Sequence, residues 1–338
     1  MNKGIINLIL GIIILTFAGF LFPASSAIAV HGTVFEVPDM DVERTYTYNT
    51  TLDVFVPGRD GKEAVLHWGE KAAINGIEYY VFNLSKNGGG ELQYLGMDFQ
   101  NKNINLKKIK DYFTPITFMD LTYDPATLMI NYPLWVGKTW EREPVNFSGT
   151  VWMGHPVNID GTTRGSAKVI GEEDIIVPAG IAHALVLETT MNSISMVNGT
   201  EMWMNNSQKI WLMENGFFAR RQLYHSGRLE EEIELKSPII AVVDIKPETL
   251  NTGSKGEITV FIELPKPYDI ARIDINSIGC NGAGAIKSLL ENGKLKVKFK
   301  RDDLNIEKMT GDKALLTLNG KLKDGTLFEG FDTVKITG

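Results

Sequence analysis

Residues 210–235 read Ile-Trp-Leu-Met-Glu-Asn-Gly-Phe-Phe-Ala-Arg-Arg-Gln-Leu-Tyr-His-Ser-Gly-Arg-Leu-Glu-Glu-Glu-Ile-Glu-Leu. The pairs Asn215-Gly216 and Ser226-Gly227 accept the positive φ angles of tight hairpin turns, so the stretch reads as a three-strand meander. The same punctuation recurs at Asn75-Gly76, Asn198-Gly199, Asn292-Gly293, Asn319-Gly320 and Asp324-Gly325. The strands it separates therefore run mostly antiparallel. Between them the side chains alternate: in residues 77–85, Tyr80, Phe82 and Leu84 fall on one face and Asn83 and Ser85 on the other, the period of a half-buried strand. No segment sustains a helical period. The best helical candidates are short, at residues 105–112 and 117–121.

The N-terminus is of another kind. Lys3 precedes an apolar run over residues 8–22, then Pro23 and the small residues Ala27 and Ala29. A charged start, an apolar centre and an Ala-x-Ala site are the three parts of a secretory signal, with cleavage after Ala29. An uncleaved membrane anchor is the alternative, since the run counted from Gly4 approaches the ~20 residues that span a bilayer. Either outcome places the remainder outside the cytoplasm, with the membrane involved only through this segment. Five Asn-x-Ser/Thr sequons, at Asn49, Asn83, Asn146, Asn198 and Asn205, are glycosylation candidates in such a compartment.

Composition divides the rest. All six Trp and all five sequons precede Pro238, and residues 30–238 carry 18 basic and 27 acidic side chains against 15 and 14 from 239 onward. Proline cannot donate to a central ladder, so Lys236-Ser237-Pro238 marks the boundary between domains at 30–238 and 239–338. The net charge of −7 argues against an electrostatic nucleic-acid binder, and one cysteine, Cys280, cannot form an intrachain disulfide. A buried Cys280 is the expectation, because an exposed thiol outside the cell oxidises. The second segment has the size and strand rhythm of a β-sandwich.

Two resemblances bear on the domains. Val243-Asp244-Ile245-Lys246-Pro247, Phe261-Ile262-Glu263-Leu264-Pro265 and Val297-Lys298-Phe299-Lys300-Arg301 resemble an immunoglobulin-like accessory domain of secreted prokaryotic, especially archaeal, surface proteins. That resemblance implies a display or spacer module. Tyr132-Pro133-Leu134-Trp135-Val136-Gly137-Lys138-Thr139-Trp140, Val177-Pro178-Ala179-Gly180 and Trp211 before Gly216 are similar to a family of secreted proteins of unknown function. It covers residues 110–235 and implies a curved half-barrel like that of lipoprotein carriers. The fold expected is thus all-β: a curved antiparallel, half-barrel-like sheet followed by an immunoglobulin-like sandwich.

The sequence holds no Gly-x-Ser-x-Gly elbow, His-Glu-x-x-His helix, phosphate loop, Rossmann glycine pattern or Cys-x-x-Cys pair, so no catalytic residue, metal site or cofactor is assigned. The five His lack metal-ligand spacing, and His31, second after cleavage, is the only near-terminal one. His183 reads as a core or edge residue and the run Glu230-Glu231-Glu232 as carboxylates facing water. Trp140, Met202, Trp203, Met204 and Trp211 form the aromatic and thioether load that either fills a concave sheet or lines a site for an apolar small molecule or lipid. Lys294, Lys296, Lys298 and Lys300 alternate with apolar residues, so one strand carries four ammonium groups on one face. Such a strand is either an edge guarded by lysines or a contact surface for an anionic envelope component. These features point to a non-enzymatic secreted or cell-surface protein with a structural or binding role. The alternative is a secreted hydrolase with a carboxylate or His site in the first domain.

Overall fold

The computed structural model describes residues 33–337 apart from 39, 42, 55–60, 99, 115–116, 252 and 307–311. The N-terminal apolar run, its Ala-x-Ala site and His31 lie outside the described residues. Compact packing divides the chain into two units: residues Met1–Glu173, Ala184–Glu214 and Phe218–Glu234, and residues Asp174–His183, Asn215–Phe217 and Leu235–Gly338.

The first unit holds most of a sheet built from β1 (Arg44–Asp53), β2 (Glu63–Trp68), β3 (Lys71–Ile74), β4 (Ile77–Lys86), β5 (Gly89–Asp98), β6 (Asn103–Thr114) and β7 (Thr117–Asn131). It continues through β8 (Thr139–Met153), β9 (Pro156–Val177), β10 (Gly180–Val197), β11 (Thr200–Leu212), β12 (Phe218–His225) and β13 (Arg228–Ser237). The strand order is β2-β1-β13-β12-β11-β10-β9-β8-β7-β6-β5-β4-β3, and β2 also pairs with β4. One stretch of β4 pairs with β3, from Ile77 to Tyr80, and another with β2, from Asn83 to Lys86. The curved antiparallel sheet is therefore present and goes beyond a half-barrel: twelve strands close into a ring, and β3 lies beside β2 on the same edge of β4. Closure removes the unpaired edges that a sheet of this size would otherwise present.

Antiparallel partners share a face, so the register traces the inside of the ring. Tyr46 pairs with Leu66, Leu66 with Leu84, Leu84 with Glu91, Glu91 with Asp111, Asp111 with Met119, Met119 with Val151 and Val151 with Val157. Tyr46, Tyr48, Leu66 and Leu84 on this face are fully buried. Tyr48 stacks on Phe218 at 4.6 Å and its hydroxyl donates to the Phe218 carbonyl at 3.1 Å.

The helical expectation at residues 105–112 and 117–121 is overturned: these residues lie in β6 and β7, paired on both sides. The reason is local. Register shifts between Ile104 and Asn105, Leu106 and Lys108, and Tyr112 and Thr114 break the two-residue period that marks a strand in sequence.

The second unit adds β14 (Ile239–Ile240), β15 (Val242–Lys246), β16 (Thr249–Asn251), β17 (Glu257–Glu263), β18 (Gly279–Cys280) and β19 (Ala283–Gly284). It ends with β20 (Lys287–Glu291), β21 (Lys294–Lys300), β22 (Lys313–Lys321) and β23 (Leu327–Thr337). One sheet runs β14-β23-β22-β18-β19 with β16 also on β23, the other β15-β17-β21-β20. Ile258, Val260, Val297 and Phe299 of one sheet and Leu316, Leu318, Phe328 and Val334 of the other share a single core, which makes a sandwich. Cys280 is fully buried in it. Ala179 joins this unit through its main chain: its N–H donates to Leu235 at 3.0 Å, and its carbonyl accepts from Ile240 at 2.8 Å.

Most of the turn dipeptides sit between strands, but Asn319-Gly320 does not: both residues are inside β22. Gly320 lies opposite Phe328 on β23, and a Cβ there would come within 2.6 Å of the Phe328 ring. The glycine makes room for an aromatic ring across the ladder, a role that the dipeptide alone does not reveal.

Candidate functional site

Five charged side chains converge inside the ring. Lys86 ends β4, Glu91 is the third residue of β5, Asp111 lies on β6, Arg221 on β12 and Glu231 on β13. Both Nη atoms of Arg221 donate to Glu91 at 3.2 Å, and one donates to Glu231 at 2.8 Å. Lys86 donates to the other Glu231 oxygen, and the Gln93 amide donates to Glu91. The guanidinium of Arg221 also lies over the Phe218 ring at 5.6 Å. None of the Lys86, Glu91, Arg221 and Glu231 side chains is more than 13% exposed.

The sequence reading of Glu230-Glu231-Glu232 as carboxylates facing water is corrected here. Glu231 faces inward and Glu230 is buried as well, whereas Glu232, half-buried on the outer face, accepts from Gln222 at 3.2 Å. The pleat sends alternate members of a charge run to opposite faces, and the inward member is tolerated only because cations from β4 and β12 reach it.

Three carboxyls face two cations, so the cluster is balanced when one carboxyl holds a proton. Burial, then repulsion by Glu91 and Glu231, push the Asp111 carboxyl up to about 7 against the opposing charges of Lys86 and Arg221. Burial acts on Glu231 in the same sense, but the charges and hydrogen bonds of Lys86 and Arg221 outweigh it and hold that carboxyl down to about 2. Burial opposes the charge on Arg221, yet Glu91 and Glu231 raise its pKa above the ordinary value. The arrangement can hold and release one proton near neutrality and ties distant strands together. Among the described residues no group of His, Cys, Asp or Glu is disposed to hold a metal.

A second buried arginine is held differently. Arg142 on β8 is 6% exposed and donates to the main-chain carbonyls of Met129 and Thr190 at 3.4 and 3.5 Å, while its Nε has no hydrogen-bond partner. Burial lowers its pKa to about 10, with Tyr123 opposing the shift. Just before β8, which Thr139 and Trp140 open, Lys138 donates to the main-chain oxygens of Asn131 and Pro133. Its ammonium lies 4.8 Å from the Trp135 ring centre.

The five residues weighed as a ligand-binding group are not brought together. Trp140 is buried on the inner face. Met202 and Met204 pair with the buried Ser195 and Ser193, also facing inward. Trp203 pairs with Ile194 on the outer face and is 57% exposed. Trp211 shares its face with its partner Arg220, opposite to Arg221; its ring lies between Lys209 (4.6 Å) and Arg220 (5.3 Å), and its Nε1 donates to Glu173 at 2.9 Å.

The four lysines lie on β21, which has β17 on one side and β20 on the other, so they do not guard an edge. Lys298 pairs with Glu257 at 2.5 Å and Lys294 with Glu263, and Lys296 lies over the Phe261 ring at 5.8 Å. Lys300 is exposed at the strand end. Of the sequons, Asn146, Asn198 and Asn205 are exposed, and Asn49 and Asn83 are half-buried on the outer face. Asn146 lines an open polar depression of about 340 Å³ with Asp124, Ser148 and Asp160. His183 is exposed and contacts Asp174 through Nδ1 at 2.7 Å.

No protein-family model matches the chain, and no curated protein matches it in sequence. Among solved structures, the chain is similar to a Bacteroides fragilis protein with a YmcC-like fold, named as exported, at 13% identity and a TM-score of 0.29, over 60% of this chain and 98% of that one. It is also similar to the N-terminal domain of a Streptococcus gordonii adhesin at 7% identity and a TM-score of 0.16, over 90% and 93% of the two chains. Values this low carry no argument from those proteins to this one.

Proposed function

We propose that the chain is an exported protein of the cell surface or envelope that works by binding through the outside of its closed sheet, not by catalysis. The observation that carries this reading is the occupied ring interior, where Arg221 and Glu91 meet across it within hydrogen-bond distance. A lipid or other apolar molecule would have to displace paired buried charges to enter beside them, which is costly. Three of the large apolar groups that stay exposed, Ile194 (40%), Met196 (39%) and Trp203 (57%), lie together on the outer face of β10 and β11. Exposed tryptophan in an apolar patch is a typical anchor for a partner. The hydrolase alternative would place its proton chemistry on Asp111, and the cations beside that group are already committed to Glu91 and Glu231. The second unit acts in this reading as the spacer that presents the first.

Fractionation of the native host, with N-terminal sequencing and protease added to intact cells, tests the location. The chain is expected in the envelope or the medium, beginning at Val30 and cut by external protease; an intact cytoplasmic chain that keeps residues 1–29 overturns the proposal. Binding of the purified mature chain to isolated envelopes tests the mode. Trp203→Ala is expected to weaken it at least about tenfold, and unchanged binding would remove the outer patch from the account.

A further inference from the structure

We infer that β20 is a docking edge for a second copy of this chain, with two β20 strands pairing antiparallel about a two-fold axis at Leu289. Several other edge strands of the sandwich are short or blunted. β14, β18 and β19 are two residues long, and β16 is three. At the free side of β15, the Ile245 N–H is taken by the Asp332 carboxylate at 2.8 Å. That contact blunts the edge, as native sheets commonly do.

Among the described residues β20 has no such cover. It is the outermost strand of its sheet, paired only with β21, and all five of its residues are exposed. Leu289 and Leu290 are 57% and 49% exposed, beside Ile286 at 38%. A regular edge strand with an apolar centre leaves main-chain donors and acceptors open along its length and invites a further strand.

The sequence of the edge names the occupant. It reads Lys287-Ser288-Leu289-Leu290-Glu291, with opposite charges equally spaced from Leu289. Antiparallel pairing centred on Leu289 sets Leu289 against its copy and Ser288 against Leu290. It also sets Lys287 of each copy against Glu291 of the other, giving two ion pairs from one two-fold contact. A parallel pairing in register would instead oppose lysine to lysine and glutamate to glutamate. In the antiparallel dimer the two four-stranded sheets continue as one, and Leu289 is covered from water. So short an edge buries little area, and a weak dimer follows.

Sedimentation velocity of the mature full chain from about 1 μM to about 500 μM tests this. The wild-type chain is expected to pass from monomer to dimer within that range. Lys287→Glu and Glu291→Lys, each opposing like charges twice, are expected to raise the dissociation constant at least about tenfold, and the combined exchange is expected to restore it. The three variants alter exposed side chains, and matching circular dichroism and thermal midpoints establish that each is folded. A wild-type chain that stays monomeric, or a dimer indifferent to the single exchanges, overturns the inference, as does failure of the double exchange to restore it.

Discussion

The Arg221 guanidinium meets the Glu91 carboxylate at 3.2 Å although β13, β1, β2 and β4 stand between their strands in the ring. The contact therefore crosses the interior. Since Arg221 also contacts Glu231, removing its charge alone leaves buried Glu91 without a cation and Glu231 with Lys86 only. Arg221→Met is expected to cost about 3–5 kcal/mol, measured from urea unfolding curves. Adding Glu91→Gln and Glu231→Gln to it should return most of that loss, because one cation, Lys86, then remains opposite one carboxyl, Asp111. A triple variant as unstable as the single one would show that the guanidinium acts by packing on Phe218.

Arg142 should respond in the opposite sense. It is as deeply buried as Arg221, but its two hydrogen bonds go to main-chain carbonyls and are long, and its Nε has no partner. Its desolvation is thus poorly offset. Replacing a poorly compensated buried charge by an apolar side chain of similar length is neutral or stabilising by about 1–4 kcal/mol. Arg142→Met is expected to leave the thermal midpoint unchanged or raise it, and a clear fall would mean that those two bonds brace β7 and β10.

The cluster also sets a pH dependence. Asp111 has its folded pKa raised to about 7, so its contribution to stability is fully present below the unfolded value of 3.8 and is lost as pH rises through 7. Glu231 runs the other way: its folded value of about 2 lies below the unfolded 4.5, so its contribution is present above 4.5 and is lost as pH falls toward 2. Together they place the stability maximum in mildly acidic solution. On its alkaline side the slope reaches at most about 1.4 kcal/mol per pH unit. Asp111→Asn is expected to flatten that slope while leaving the acid side as it was. Unfolding curves across the two windows read both limbs, and an unchanged alkaline slope in the variant would remove Asp111 as its source.

Cys280 offers a readout of the second unit alone. It is fully buried in the sandwich core, and burial pushes its thiol up to about 12. The native chain is expected to resist a thiol reagent at neutral pH and to be labelled only as fast as that core opens. Immediate stoichiometric labelling would contradict the packing of β18 beneath the facing sheet.

What the sequence discloses follows the range of the interactions. Turn chemistry is local, so Asn198-Gly199 and Ser226-Gly227 could be read directly, and both lie between strands with positive φ. Alternation is nearly as local, and Leu84 does face the core as residues 77–85 predict. Ring closure is not local, because it depends on β2 and β3 sharing one edge of β4. The charge cluster is hidden for the same reason. Lys86, Glu91, Asp111, Arg221 and Glu231 come from five strands, and nothing in Glu230-Glu231-Glu232 says that its middle member will find an arginine and a lysine. The one available signal was parity: Glu231 alternates with Ile233 and Leu235, both fully buried, and so shares their face.

Curvature has a residue that can be tested directly. Gly149 on β8 pairs with Leu121 on β7, and a Cβ on it would fall 1.9 Å from the Asp120 carbonyl oxygen. No side-chain rotation relieves that contact, since both partners are main chain. Its backbone is otherwise that of an ordinary strand, so the demand for glycine here comes from the closeness of the two strands. Gly149→Ala must push β7 and β8 apart within a closed ring, where the displacement passes to neighbouring pairs. A loss of at least about 1–3 kcal/mol is expected, with faster hydrogen exchange at β7 and β8 than at β22 and β23. Gly171→Ala, where nothing lies within 4 Å of the added methyl group, serves as the control and should stay near wild type. Equal effects from the two substitutions would show that the close approach of β7 and β8 does not constrain the ring.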